Sequence, residues 1–166
     1  MTMLRTLAAL LVLTTASIAP AAAQARSASD SSFRAFLVRF EAATRDMLSG
    51  QPAAWLAMVS REPTLFTPFG GVVTGRDTVL KQYRFAASRV GPREATLEVE
   101  YLHVGVAGDV AYTVALERSR FQSAAADTMR AGYTRATHIF RREEGEWKLA
   151  HRHMDHIVEA PPKPGP

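Results

Sequence analysis

From Glu94 onward, three short turn signals divide the chain: Ala107-Gly-Asp109, the stretch Ser123 to Asp127, and Glu143-Glu-Gly145. They leave four strand-forming segments, 94–106, 109–122, 128–142 and 146–157, each rich in Val, Thr, Tyr or other β-formers. Strands joined by connections this short must be antiparallel, because a parallel return needs a crossover of about a dozen residues or more. Such a meander has a face to bury, and the residues before it must supply the cover.

They do so as helices. Phe33, Phe36, Leu37, Phe40, Thr44, Met47 and Leu48 recur at the spacing of one buried helical stripe, and Gly50 stands where a helix commonly ends. Pro52 suits the first turn of a short second helix reaching about Val59 and carrying Trp55 inward. Thr64 to Thr67 is an extended piece, ended by Pro68-Phe69-Gly70-Gly71. A third helix begins near Gly75, where Thr74 and Asp77 resemble a capping box, and presents Val79, Leu80, Tyr83 and Ala87 until Gly91-Pro92 stops it. Helices first and a meander afterwards predict an α+β domain, three helices packed on one face of a curved, mostly antiparallel sheet. A sheet curled around helices that do not fill its concave side leaves a cavity, where ligands tend to bind.

The N-terminus belongs to a different problem. Met1 to Arg5 carry one basic charge, Leu7 to Ile18 form an apolar run, and Ala21-Ala-Ala23 and Ala23-Gln-Ala25 offer small-x-small cleavage patterns. This predicts a secretory signal peptide over residues 1–25, cut after Ala23 or Ala25, and a periplasmic or secreted product. The run is shorter than the roughly 20 apolar residues of a bilayer span, so no membrane anchor is expected after cleavage. Residues 26–32 are expected as a disordered lead-in, 33–158 as the domain, and the Pro-rich 159–166 as a disordered tail. The chain has no cysteine. Thiol catalysis, thiolate metal sites and disulfides are therefore excluded, and packing alone must hold the domain. The formal charge of +4 comes from arginines scattered along strands, without a nucleic-acid motif, so no nucleic-acid partner is expected.

The closing strand carries the candidate chemistry. Alternation puts Trp147, Leu149, His151, His153 and Asp155 on one face, with Lys148, Ala150, Arg152, Met154 and His156 on the other. The first face runs from apolar to titratable, which suits a strand with its base in a core and its far end lining a polar cavity. His151 and His153 are candidates for acid/base chemistry or ligand hydrogen bonding, with Asp155 as an orienting carboxylate. The bland alternative makes both imidazoles satisfied groups at the cavity edge or a dimer surface. A zinc ion could draw on all three, but same-face residues lie about 6.6 Å apart, so it would reach two of them readily and three only with twisting. No metal and no cofactor are assigned. On the preceding strand, Arg135 and Thr137 share a face. Arg135 suits a carboxylate or phosphate clamp, or else an ion pair with Glu117 across the sheet. His103 and His138 lie mid-strand and give no signal. Nucleophile-elbow and phosphate-cradling glycine motifs are missing.

The helix pair, the Thr67-Pro68-Phe69-Gly70 turn, the Thr74-Gly75-Arg76 start of the third helix and the closing strand resemble the nuclear transport factor two-like superfamily. Arg135-x-Thr137 followed by Gly145-x-Trp147-x-Leu149-x-His151-x-His153 looks most like its SnoaL-like branch, over about residues 33 to 157. Asp155 stands where members of that branch often carry serine. The resemblance implies a cone-shaped roll, a homodimer through the exposed sheet face, and Trp55, Phe66, Phe69 and Tyr83 as the apolar wall of the cone. It also separates the chain from ketosteroid isomerases. Thr67, Ala43 and Thr137 fall where those enzymes carry their proton-shuttling carboxylate and two oxyanion-hole donors, so that isomerisation is excluded.

Two function classes follow. One is a binding domain for a small, largely hydrophobic molecule, held by Trp55, Phe69, Tyr83, Arg135, Thr137, His151 and His153. The other is a cofactor-independent lyase, isomerase or cyclase with His151, assisted by Asp155, as acid/base.

Overall fold

A computed structural model of the chain describes residues 21–68, 70–90, 93–122 and 128–157. The apolar run of the expected signal peptide, Phe69 and the Pro-rich tail lie outside the described residues. The elements are α1 (Ala21–Leu48), α2 (Ala53–Ala57), β1 (Val59–Phe66), β2 (Val72–Thr74), α3 (Arg76–Val90), β3 (Ala95–Ala107), β4 (Val110–Gln122), β5 (Met129–Glu143) and β6 (Glu146–His156). The expected three helices and four meander strands are all present. Four local expectations change. Helix α1 reaches back to Ala21, so residues 26–32, expected as a disordered lead-in, are helical. Val59 opens β1 instead of closing α2, β1 is longer than the 64–67 piece, and β2 was not foreseen.

One six-stranded sheet runs in the order β2-β1-β6-β5-β4-β3. Every neighbouring pair is antiparallel except β1 and β6, which are parallel. The hairpin turns explain the register. Glu144 (φ 52°) and Gly145 (φ 83°) form the two-residue link between paired Glu143 and Glu146, a loop with both positions left-handed. That geometry matches the right-handed twist of the flanking strands. Helix α1 ends in a Schellman motif: Gly50 has φ 86°, its N–H donates to the Met47 carbonyl, and the Gln51 N–H donates to the Asp46 carbonyl.

The core fills one end of the concave face. Phe33, Phe36 and Phe40 of α1 pack on Phe140 of β5 with centroids 5.2–5.3 Å apart, and Phe33 meets Trp147 of β6 at 5.1 Å. Ser32 accepts hydrogen bonds from Trp147 Nε1 (3.2 Å) and from Arg142 (3.1 Å), whose guanidinium lies 4.4 Å over the Trp147 ring.

Two bulges in the β3–β6 meander bend it around this core. Leu102 is the extra residue of β3 opposite β4, and Ala150 is the extra residue of β6 opposite β5. Each breaks the two-residue alternation and sharpens the local twist. The second one overturns the expected face of the closing strand. Leu149 pairs with buried Phe140, but after the skipped Ala150, His151 pairs with half-exposed Ile139 and Arg152 with buried His138. Inward residues are therefore Trp147 and Leu149, then Arg152, Met154 and His156.

Candidate functional site

The end of the concave face away from the aromatic core is hollow. A cavity of about 310 Å³ opens there, bounded by the last turn of α1, Tyr83 of α3, the end of β1 and inward positions of β3 to β6. Its walls are mainly apolar: Met47, Leu48, Leu65, Leu97, Phe121 and Met154. Facing registers place polar side chains at and behind its inner end. Thr113, His138 and Arg152 stand opposite one another on β4, β5 and β6, and so do Glu117, Thr134 and His156. Between these two rows lie Ala115, Ala136 and Met154. The two alanines leave space above the sheet, and long side chains from both rows meet across it.

The Arg152 guanidinium donates a 2.8 Å hydrogen bond to Glu117, and both side chains are almost wholly buried (6% and 7% exposed). The other Glu117 oxygen lies 3.5 Å from His138 Nε2, and His138 Nδ1 is 3.1 Å from the Thr113 hydroxyl. Arg152 Nε and His138 Nε2 are buried without a hydrogen-bond partner among the described residues. Burial first, and the Arg152 charge second, hold the His138 pKa well below the ordinary imidazole value, so its ring is neutral near pH 7. Tyr101, inward on β3, shares a hydrogen bond with Glu41 of α1. Burial first, then Glu41, and more weakly Glu117, push its phenol well above the ordinary value.

The residues singled out in the sequence divide between the two faces. Tyr83 lines the cavity, its ring tilted by 30° against fully buried Trp55 at 4.8 Å, and Trp55 belongs to the core behind it. His151 and His153 instead flank, on the outer face, the ring of Phe66, a residue that also borders the cavity at the end of β1, with centroids 5.5 and 5.4 Å away. Thr137 pairs with His153 on that face. Arg135 pairs with Asp155 there, its Nε 3.0 Å from the carboxylate, and not with Glu117 as the sequence allowed. Thus His151, His153, Asp155, Arg135 and Thr137 stand together, but on the side opposite the cavity. Among the described residues, no three of His, Cys, Asp and Glu are grouped to hold a metal ion. Glu117, Arg152 and His138 were missed as site residues. The available signal was the inward run Thr113, Ala115, Glu117 facing Thr134, Ala136, His138, where small residues surround isolated polar ones.

An α+β cone with its helices inside the curl of one bent sheet and a hollow wide end defines the class of protein. The chain belongs to the SnoaL-like domain family, whose profile matches residues 38–158. Among solved structures it is similar to a dehydratase candidate of the nuclear transport factor two-like family from Streptomyces avermitilis, at 18% identity and TM-score 0.64 over 80% of this chain and 99% of that one. It is also similar to a ketosteroid isomerase-like protein from Erwinia carotovora atroseptica, at 18% identity and TM-score 0.59 over 81% and 97%. A third is the association domain of the C. elegans calcium/calmodulin-dependent protein kinase II, at 14% identity and TM-score 0.59 over 78% and 98%. At these identities the likeness is one of fold. No curated protein matches the sequence significantly. Among the described residues, no helix is long and apolar enough to cross a membrane.

Proposed function

We propose that this SnoaL-like domain is exported and holds a small, largely apolar molecule in its cone cavity, with binding as its primary role. The observation that supports this is the cavity itself: about 310 Å³ of space with mainly apolar walls and one buried polar cluster, the usual composition of a small-molecule site. The residues that would hold the molecule are Tyr83, Leu65, Met154, Glu117 and Arg152. His151 and His153 face the other way and fall outside that set. Export rests on the pattern of residues 1–25, and N-terminal sequencing of the protein from a periplasmic or culture fraction tests it.

The test of binding is mass spectrometry of small molecules carried through purification, repeated with Met154→Trp, which fills the cavity. A species present in the parent protein and lost in the variant, with both folded by circular dichroism, is the expected result. Equal retention by both proteins overturns the reading.

One observation favours catalysis as a second reading: the cavity presents a buried carboxylate, Glu117. A lyase, isomerase or cyclase working here would move its proton through Glu117 instead of His151. Glu117→Gln would then abolish turnover while the molecule was still retained.

The outer sheet face supports a homodimer as the assembly. Tyr112, Ile139 and Phe66 leave 38–41% of their surface exposed there, on β4, β5 and β1.

A further inference from the structure

We propose that the cavity selects molecules whose polar end is uncharged, such as an alcohol, phenol or carbonyl, and rejects the matching carboxylates and amines. The proposal rests on the cavity being a ligand site and names the chemistry that site accepts. Its basis is the charge balance of the polar cluster. Arg152 is the one cation buried among the cavity residues, and Glu117 neutralises it through a 2.8 Å hydrogen bond. His138, the next group in the cluster, is held neutral by burial and by Arg152. The sum at the cavity's inner end is zero.

A carboxylate entering this space would have to share Arg152 with Glu117. One negative charge would then remain uncompensated beside side chains that are almost wholly buried, and such a charge is strongly disfavoured. Glu41, which bonds Tyr101 behind Glu117, adds a second carboxylate on that side and worsens the case for an anion. An ammonium group faces the mirror problem, because Glu117 is already paired with Arg152. Arg130 and His156, the other ionisable groups of the lining apart from Tyr83, are exposed at the mouth, where water and salt screen them.

A neutral hydroxyl escapes both penalties. It can donate to the carboxylate, which has lone pairs beyond the one used by Arg152, and accept from the guanidinium, which has N–H groups beyond the one given to Glu117. Leu65, Leu97, Phe121 and Met154 then receive the apolar body.

The test uses four probes that share one ring system: naphthalene, 2-naphthol, 2-naphthoate and 2-naphthylmethylamine, titrated calorimetrically into the purified protein at pH 7.5. The expected result is 2-naphthol binding at least tenfold more tightly than the naphthoate or the amine. Glu117→Gln, which leaves Arg152 uncompensated, is expected to reverse the order in favour of naphthoate. Naphthoate or the amine binding as tightly as naphthol to the parent protein overturns the proposal, and this comparison stands even if the variant does not fold. If naphthalene binds and the polar group makes no difference, the selectivity fails while the ligand site survives. If none of the four binds, the ligand site fails and the selectivity with it.

Discussion

Glu117 on β4 and Arg152 on β6 meet at 2.8 Å although β5 lies between their strands. The meeting is possible because Ala136, at the crossing point on β5, has no side chain tall enough to separate them. Removing one partner of such a buried pair leaves a charge without compensation, which typically costs about 3–5 kcal/mol, whereas replacing both by apolar groups is often neutral. Arg152→Met alone should therefore destabilise the protein by several kcal/mol, and Glu117→Leu with Arg152→Met should recover much of that loss. Urea unfolding of the two single variants and the double variant measures the coupling. Additive losses would show that the two side chains act independently.

The same crossing makes Ala136 a sensitive position. Ala136 is 2% exposed, so Ala136→Leu must push its new methyl groups into the line between Glu117 and Arg152. Overpacking alone costs about 1–3 kcal/mol, and separation of the ion pair adds to it. Ala115→Gly on the neighbouring strand should leave the pair intact and cost only the roughly 0.5–1 kcal/mol of a glycine inside a strand. Denaturant midpoints of the two variants distinguish these outcomes.

His138 ties stability to pH. Its folded pKa lies well below 6.5 because burial first, then the charges of Arg152 and His151, disfavour the imidazolium. As pH falls below about 6.5, the unfolded chain takes up a proton at this residue that the folded chain refuses, so stability falls. The full contribution is present above the unfolded pKa and is lost as pH drops toward the folded one. The slope from this residue is at most about 1.4 kcal/mol per pH unit. Urea unfolding between pH 7.5 and 5.5 should show that slope in the parent protein, and His138→Gln should remove it. Retention of the slope in His138→Gln would assign it to another group.

Most of the fold was legible because it rests on local signals. The stripe from Phe33 to Leu48 and the turns at Gly108 and Gly145 fix the helix and hairpins by periodicity and by backbone conformation. The site was less legible, and Ala150 is the reason. Alternation carried forward from Trp147 assigns His151 inward, but the extra residue exchanges the faces beyond it. Hydrophobicity could not expose the exchange, because neither face of the last six strand residues is clearly apolar: His151, His153 and Asp155 stand against Arg152, Met154 and His156, with Met154 the one apolar side chain. Where neither face is apolar, register is weakly written in sequence. His138 and Glu117 were hidden for a related reason. Their roles depend on a partner two strands away in space, which no spacing along one strand encodes.

The outer face yields the last prediction. Tyr112 on β4 is directly opposite Ile139 on β5, and Ile139 is directly opposite His151 on β6, against which the Phe66 ring packs from β1. This is a continuous strip across four strands, with Tyr112, Ile139 and Phe66 all more than a third exposed. Contiguous apolar strips of this kind on a soluble surface commonly mark an interaction site. In a homodimer formed through this face, the imidazoles of His151 and His153 would lie in the contact. Ile139→Glu puts a carboxylate in the middle of the strip. It should convert the protein to a monomer in sedimentation velocity at micromolar concentration, while the far-UV circular dichroism stays unchanged because the side chain is already half in water. Val72→Glu, a more exposed apolar position on the edge strand β2, should leave the assembly untouched. A parent protein that sediments as a monomer at every concentration, or an Ile139→Glu protein that remains associated, would rule out pairing through this face.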